Sequence, residues 1–210
     1  MLIGISGKMR SGKDTSYKLL NKIAMESEGN RFKRVAFADP LKEAAMLSIG
    51  WDNSNNIAEL VKTGGSITIE IDGGEGYSTE YISGREYLQN FGVAAREVYG
   101  ENFWVELALD NAWQYNDVVI TDVRFENEAK AIKEHGGFIF HVFRDKDEQD
   151  GTHISEKKLP EELIDYYIDN TGDLDNLKEN LTNAFNDIRK REGSARLGSF
   201  ASRRPQSGKC

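Results

Sequence analysis

Apolar runs that do not alternate with polar residues stand at Leu2 to Ser6, Arg34 to Ala38, Val118 to Thr121 and Phe138 to Phe143. Short runs of this kind suit strands covered on both faces, so each predicts a strand of a parallel sheet. Between and after them apolar positions recur at helical spacing. This predicts helices at Lys13 to Ser27, Pro40 to Ile49, Arg85 to Tyr99, Phe103 to Tyr115, Glu126 to His135 and Leu174 to Arg191. Pro40 suits a first helical turn, Gly100 a stop after one helix, and Gly136-Gly137 a stop after another. Strand alternating with helix is the pattern of an α/β domain with a parallel sheet flanked by helices.

The pattern changes between residues 64 and 84, where β-branched residues alternate about a glycine-rich turn. A hairpin insertion is expected there. It is either a surface excursion or a flap near a substrate, since long insertions often carry function.

The strongest chemical signal lies between the first strand and the first helix. Gly7-Lys8-Met9-Arg10-Ser11-Gly12-Lys13-Asp14-Thr15 fits the spacing G-x-x-x-x-G-K of a phosphate-binding P-loop. Gly7 and Gly12 allow backbone conformations and close approaches that a Cβ would block, so successive N–H groups can face phosphate oxygens. The helix dipole adds partial positive charge there and Lys13 a full one. Asp14 stands where a serine or threonine usually meets magnesium, with the hydroxyl displaced to Thr15. Asp14 could hold magnesium through water while Thr15 meets a phosphate, and the sequence leaves that choice open. The expected fold is thus a P-loop NTPase-type parallel sheet with a small hairpin and helical substrate-binding insertion.

Charge and composition narrow the classes. With 35 acids against 27 Lys/Arg the net charge is −8, which speaks against a general nucleic-acid binder. The distribution is uneven: Arg189 to Cys210 carries seven Lys/Arg against the single acid Glu192, so a tail of +6 follows a body of −14. The tail is too poor in apolar residues to order itself and is expected to be disordered. The tail is either a solvated or expression-derived segment or a source of weak, salt-sensitive contact with nucleic acid, and no other nucleic-acid contact is expected. No apolar run approaches a membrane span, and the N-terminus lacks the features of a signal peptide. Cys210 is the single cysteine, which excludes an internal disulfide and cysteine-built zinc sites and fits a reducing cytoplasm. His135, His141 and His153 have no partners at metal-ligand spacing. The expected organisation is a P-loop domain over 1–190, with an insertion at about 50–100, and a basic tail over 191–210.

Further blocks follow the loop in order. They are Ala38-Asp39-Pro40-Leu41-Lys42; Arg85 with Leu88-Gln89, Phe91-Gly92 and Arg96; Phe103-Trp104-Val105; Thr121-Asp122-Val123-Arg124; His141-Val142-Phe143-Arg144; Thr152-His153-Ile154-Ser155-Glu156; and Asn170-Thr171-Gly172-Asp173-Leu174. Together with Ser6-Gly7 and Arg10 to Thr15, this ordered set resembles the bacteriophage deoxynucleoside monophosphate kinase family over about residues 1–185. Each block also has its own reading. Asp122 ends an apolar strand, where a P-loop enzyme keeps a carboxylate that orients magnesium or its waters. Arg124 would project to the crevice at the strand ends and bind phosphate bidentately, or pair with Asp122 in a structural ion pair, the two roles being compatible. Arg85, Gln89 and Arg96 share a helix face, which is either a grip for a monophosphate or a solvated stripe. Asp39 is expected to cap the helix that Pro40 opens. Trp104 is either core or a platform for a base or sugar. Arg144 is either a surface arginine or a contact to ATP from a lid.

The resemblance implies transfer of the ATP γ-phosphoryl group to a deoxynucleoside monophosphate, with magnesium as cofactor. It implies ATP binding by Gly7, Arg10, Ser11, Gly12, Lys13, Asp14 and Thr15. It implies substrate contacts from Leu41, Lys42, Arg85, Gly92, Val93, Arg96, Trp104, Asp122 and Arg124, with Lys13, Arg124 and Asp122 catalytic and a homodimer as the assembly. Two other readings stay open: a P-loop kinase for another phosphorylated acceptor, of the phosphomevalonate or dephospho-coenzyme A type, and an ATP-binding regulatory module without chemistry.

Overall fold

Strand β1 (Leu2–Ser6) is buried at every position and organises the rest. In this computed structural model the described residues are 1–49, 61–72, 77–144 and 159–195. The remaining elements are α1 (Lys13–Glu28), β2 (Lys33–Val35), α2 (Ala38–Ser48), β3 (Ser66–Asp72), β4 (Tyr77–Ser83), α3 (Gly84–Tyr99), α4 (Phe103–Ala112), β5 (Val118–Val123), α5 (Glu126–Glu134), β6 (Phe138–Phe143), β7 (Tyr166–Asp169) and α6 (Leu174–Ala195). A single 3-10 turn, Glu161–Leu163, precedes β7.

Five strands form one sheet in the order β2-β5-β1-β6-β7, and every pairing is parallel. Parallel pairing requires each connection to cross back over the sheet and places every strand's C-terminal end along one edge. This is the P-loop NTPase-type α/β arrangement. Both faces of the sheet are covered, which explains the unbroken apolar runs. Ile3, Ile5, Val119 and Phe140 meet α1 and α6 through Leu20, Leu181 and Phe185. On the other face Leu2, Ile120 and Ile139 meet α4 and α5 through Ala108, Leu109 and Ile132. Gly4 lets α5 lie close, since a Cβ there would stand 2.7 Å from the Cδ1 atoms of Ile132 and Ile139.

The 64–84 stretch forms the antiparallel pair β3–β4, in register from Ser66 opposite Ser83 to Asp72 opposite Tyr77. It is more than a surface excursion at its base: Ile67 and Ala45 are buried together, with Ile82, Tyr87, Leu88 and Phe91 packed against them. This small third cluster joins the hairpin to α2 and α3. Ser83 caps α3, its Oγ accepting from Glu86 N–H at 3.2 Å.

Several element bounds differ from the sequence expectation. The second strand stops at Val35, because Phe37 and Ala38 turn into α2 two residues before Pro40. The fourth helix ends at Ala112, short of Tyr115, and α6 continues to Ala195, into the stretch expected to be tail. Strand β7 was not foreseen. It is four residues long and lies at the sheet edge, too short to show a period. Residues 196–210, the 73–76 turn, residues 50–60 of the expected insertion and the Thr152–Glu156 block lie outside the described residues. Among the described residues no helix is long and apolar enough to cross a membrane.

Candidate active site

The loop after β1 takes the backbone shape its glycines allow. Gly7 has φ +139 and Gly12 φ +106, and Arg10 between them has φ +68, the one non-glycine residue with positive φ among those described. A Cβ on Gly7 would lie 2.3 Å from the Val142 carbonyl oxygen, and one on Gly12 2.3 Å from Asn170 Nδ2. The loop is thus pressed between β6 and the connection after β7. Asn170 donates from Nδ2 to the Ser11 carbonyl at 2.7 Å and from its own N–H to the Phe143 carbonyl at 2.8 Å. Lys13 folds over the loop and donates to the carbonyls of Gly7 and Lys8, both at 2.6 Å. Asp14 and Thr15 are exposed at the start of α1. Ser11 Oγ is buried without a hydrogen-bond partner among the described residues, as are Ser16 Oγ and Thr121 Oγ1.

β5 lies directly beside β1, with Val123 opposite Ser6, so Asp122 and Arg124 leave the sheet next to the loop. Asp122 accepts from the N–H of Phe37 at 2.8 Å and of Ala38 at 3.1 Å. Burial pushes its carboxyl pKa above the usual carboxylate value, against those two donors. One expectation is corrected here, and one open alternative is closed. Asp39 does not cap α2: it sits in the first turn and accepts from Ala36 N–H at 3.0 Å. The N–H groups of Phe37 and Ala38, at the start of the helix, go instead to Asp122 on the neighbouring strand. Nor does Arg124 pair with Asp122, whose two oxygens are turned to backbone; among the described residues no ion pair within 4 Å joins them. Arg124 is exposed.

Glu128, which the sequence reading passed over, is buried beside them. Its Oε2 accepts from Arg124 N–H at 2.7 Å and Phe125 N–H at 3.0 Å, and burial pushes its pKa up to about 7. The signal available was an acid three residues after the N-cap position, half of a capping box.

The other candidates divide into two groups. Leu41, Gly92 and Trp104 meet: a Cβ on Gly92 would lie 3.2 Å from Leu41 Cδ2, and Trp104 Nε1 donates to the Gly92 carbonyl at 3.1 Å. Trp104 is buried and flanked by the rings of Phe91 and Phe103. Lys42 stands 3.8 Å from Asp39, which also has Arg34 at 3.6 Å. Along α3, Arg85, Gln89 and Val93 are exposed and Arg96 half-buried. Arg144 is exposed at the end of β6. His141 Nδ1 lies 3.0 Å from Ser6 Oγ, and His135 packs on Trp113. No cluster of three or more His, Cys, Asp or Glu able to hold a metal ion occurs among the described residues.

Residues 75–181 match the family model for deoxynucleotide monophosphate kinase. A protein of Acanthamoeba polyphaga mimivirus, provisionally named a deoxynucleotide monophosphate kinase, is 30% identical over 169 residues, 76% of this chain and 82% of that protein. The chain belongs to the deoxynucleotide monophosphate kinase family. It is therefore a nucleotide kinase, a phosphotransferase. Among solved structures, this kinase is similar to shikimate kinase from Aquifex aeolicus, at 14% identity and a TM-score of 0.40 over 94% of this chain and 100% of that one. A sugar kinase from Janibacter is 11% identical with a TM-score of 0.41, over 90% of this chain and 94% of its own.

Proposed function

We propose that the enzyme transfers the γ-phosphoryl group of ATP to the 5′-phosphate of a deoxynucleoside monophosphate, giving ADP and a deoxynucleoside diphosphate. The observation that carries this reading is the adjacency of β1 and β5, which sets the phosphate loop beside Asp122 and Arg124. An oxygen of the acceptor phosphate forms the new bond to the γ-phosphorus as the bridge to the β-phosphate breaks, the electron pair leaving with ADP. The acceptor is already anionic, so the work is positioning and charge neutralisation, with no base required.

The nucleotide phosphates would lie on the N–H groups of Arg10 to Thr15, with Lys13 moving from the Gly7 and Lys8 carbonyls to a phosphate oxygen. Arg124 would span donor and acceptor phosphates. Leu41, Gly92, Val93 and Trp104 would bound the acceptor nucleoside, and Lys42, Arg85 and Arg96 would hold its phosphate. Magnesium would be held by Asp14 or Thr15, with Asp122 acting through water because its oxygens already accept backbone N–H groups. This all-oxygen donor set, without a preformed cluster, suits an ion bound chiefly by substrate phosphates. Bound there, magnesium would neutralise phosphate charge.

The test is acceptor profiling. Purified enzyme with ATP and magnesium is expected to convert at least one of dTMP, dGMP, dCMP and dAMP to its diphosphate, read by ion-exchange chromatography, and Lys13→Ala to abolish turnover. Use of a different phosphorylated acceptor, with none of these four or a modified pyrimidine nucleotide converted, would overturn the substrate.

A further inference from the structure

Arg124 sits on the short connection between β5 and α5, where an exposed long side chain has much freedom to lose before it can serve. One buried group removes the backbone share of that freedom. Glu128, 8% exposed, turns back from the first turn of α5, and its single oxygen Oε2 holds two successive peptide groups, those of Arg124 and Phe125. The same turn is tied on its other side, where Asn127 Nδ2 donates to Asn102 Oδ1 at 3.0 Å, just ahead of the helix that carries Trp104.

We propose that Glu128 is a positioning residue for phosphoryl transfer, holding the Arg124–Phe125 backbone so that the Arg124 guanidinium is delivered to the crevice beside the phosphate loop. The proposal rests on the role given to Arg124 above. Two features separate Glu128 from an ordinary helix cap. A cap can sit in solvent at little cost, whereas this carboxyl is buried where ionisation is disfavoured despite two donors. And one of its two bonds goes to a residue outside the helix, the arginine itself. Phe125, at the N-cap position, has no side-chain oxygen to offer.

The test compares Arg124→Ala, Glu128→Ala, Glu128→Gln and the Arg124→Ala/Glu128→Ala double variant in steady-state assays, with melting temperature measured alongside. Gln keeps an oxygen that can accept from both N–H groups. Glu128→Ala is expected to lower kcat about ten- to a hundredfold with the KM for ATP changed less than about threefold. Glu128→Gln should stay within about threefold of wild type, and Glu128→Ala should add less than about twofold in the Arg124→Ala background. A Glu128→Ala enzyme with lowered melting temperature and unchanged kcat would make the residue a cap and nothing more. An undiminished further loss in the double variant would show that it acts elsewhere, for instance on Asp122. If Glu128→Ala does not fold, Glu128→Asp, one methylene too short to reach both donors, carries the same comparison. Arg124→Ala with full kcat would instead overturn the role of Arg124, a result distinct from failure of Glu128 alone.

Discussion

The two loop glycines are needed for different reasons. At Gly7 a Cβ would strike backbone, the Val142 carbonyl, whereas at Gly12 it would strike a side chain, Asn170. Both also have φ values that L side chains rarely adopt. Gly7→Ala and Gly12→Ala are each expected to cost about 2 kcal/mol or more, lowering the melting temperature by roughly 4–8 °C. Asn170→Ala should restore part of the loss in Gly12→Ala and none in Gly7→Ala, as read by calorimetry; equal rescue of both would show that Asn170 acts on the loop as a whole. The motif made both glycines legible in the sequence, because its spacing is local. Asn170 was visible only as part of an ordered set, since its contact with Ser11 spans 159 positions.

At the scale of elements, β1, β6, α1, α3 and α5 were legible to within a residue, and caps supplied from elsewhere were not. Asp39 carried the local signature of a cap, yet the donors at the start of α2 are taken by Asp122. Local rules weigh neighbours in sequence, while a parallel sheet brings distant strand ends together. The α2–α3 contact is likewise tertiary. Gly92→Ala would gain helix propensity of roughly 0.5–1 kcal/mol but press on Leu41, so little net change in stability is expected. The KM for the monophosphate, however, should rise about tenfold, the equivalent of about 1.4 kcal/mol. An unchanged KM would reduce the Leu41–Gly92–Trp104 contact to packing.

Across the whole molecule, two carboxyls near the end of β5, Glu128 buried and Asp122 half-buried, set a pH dependence. Glu128 has its pKa raised from 4.5 to about 7 in the folded state, chiefly by burial. The folded state therefore holds this proton more tightly than the unfolded chain. The associated stability is fully present below pH 4.5 and is lost as pH rises through about 7. The shift corresponds to on the order of 3 kcal/mol. Urea denaturation at several pH values between 4.5 and 8 should show wild type losing stability relative to Glu128→Gln as pH rises; a constant difference would contradict the raised pKa. Asp122 shifts in the same direction and for the same leading cause. The parallel-sheet class was legible from apolar runs alone, and Asp122 from its place at a strand end, whereas the buried Glu128 was not, because burial depends on which helix covers which strand end.

Lys13 rests on the carbonyls of Gly7 and Lys8, so the nucleotide loading proposed above would be an exchange reaction and not the filling of an open socket. A ligand offering only a base and sugar leaves that internal pairing intact, while one bearing a phosphate chain must compete with it and is repaid by the full charge released. Affinity along a series from nucleoside to triphosphate should therefore climb unevenly, with the largest step at the phosphate that first draws the ammonium away.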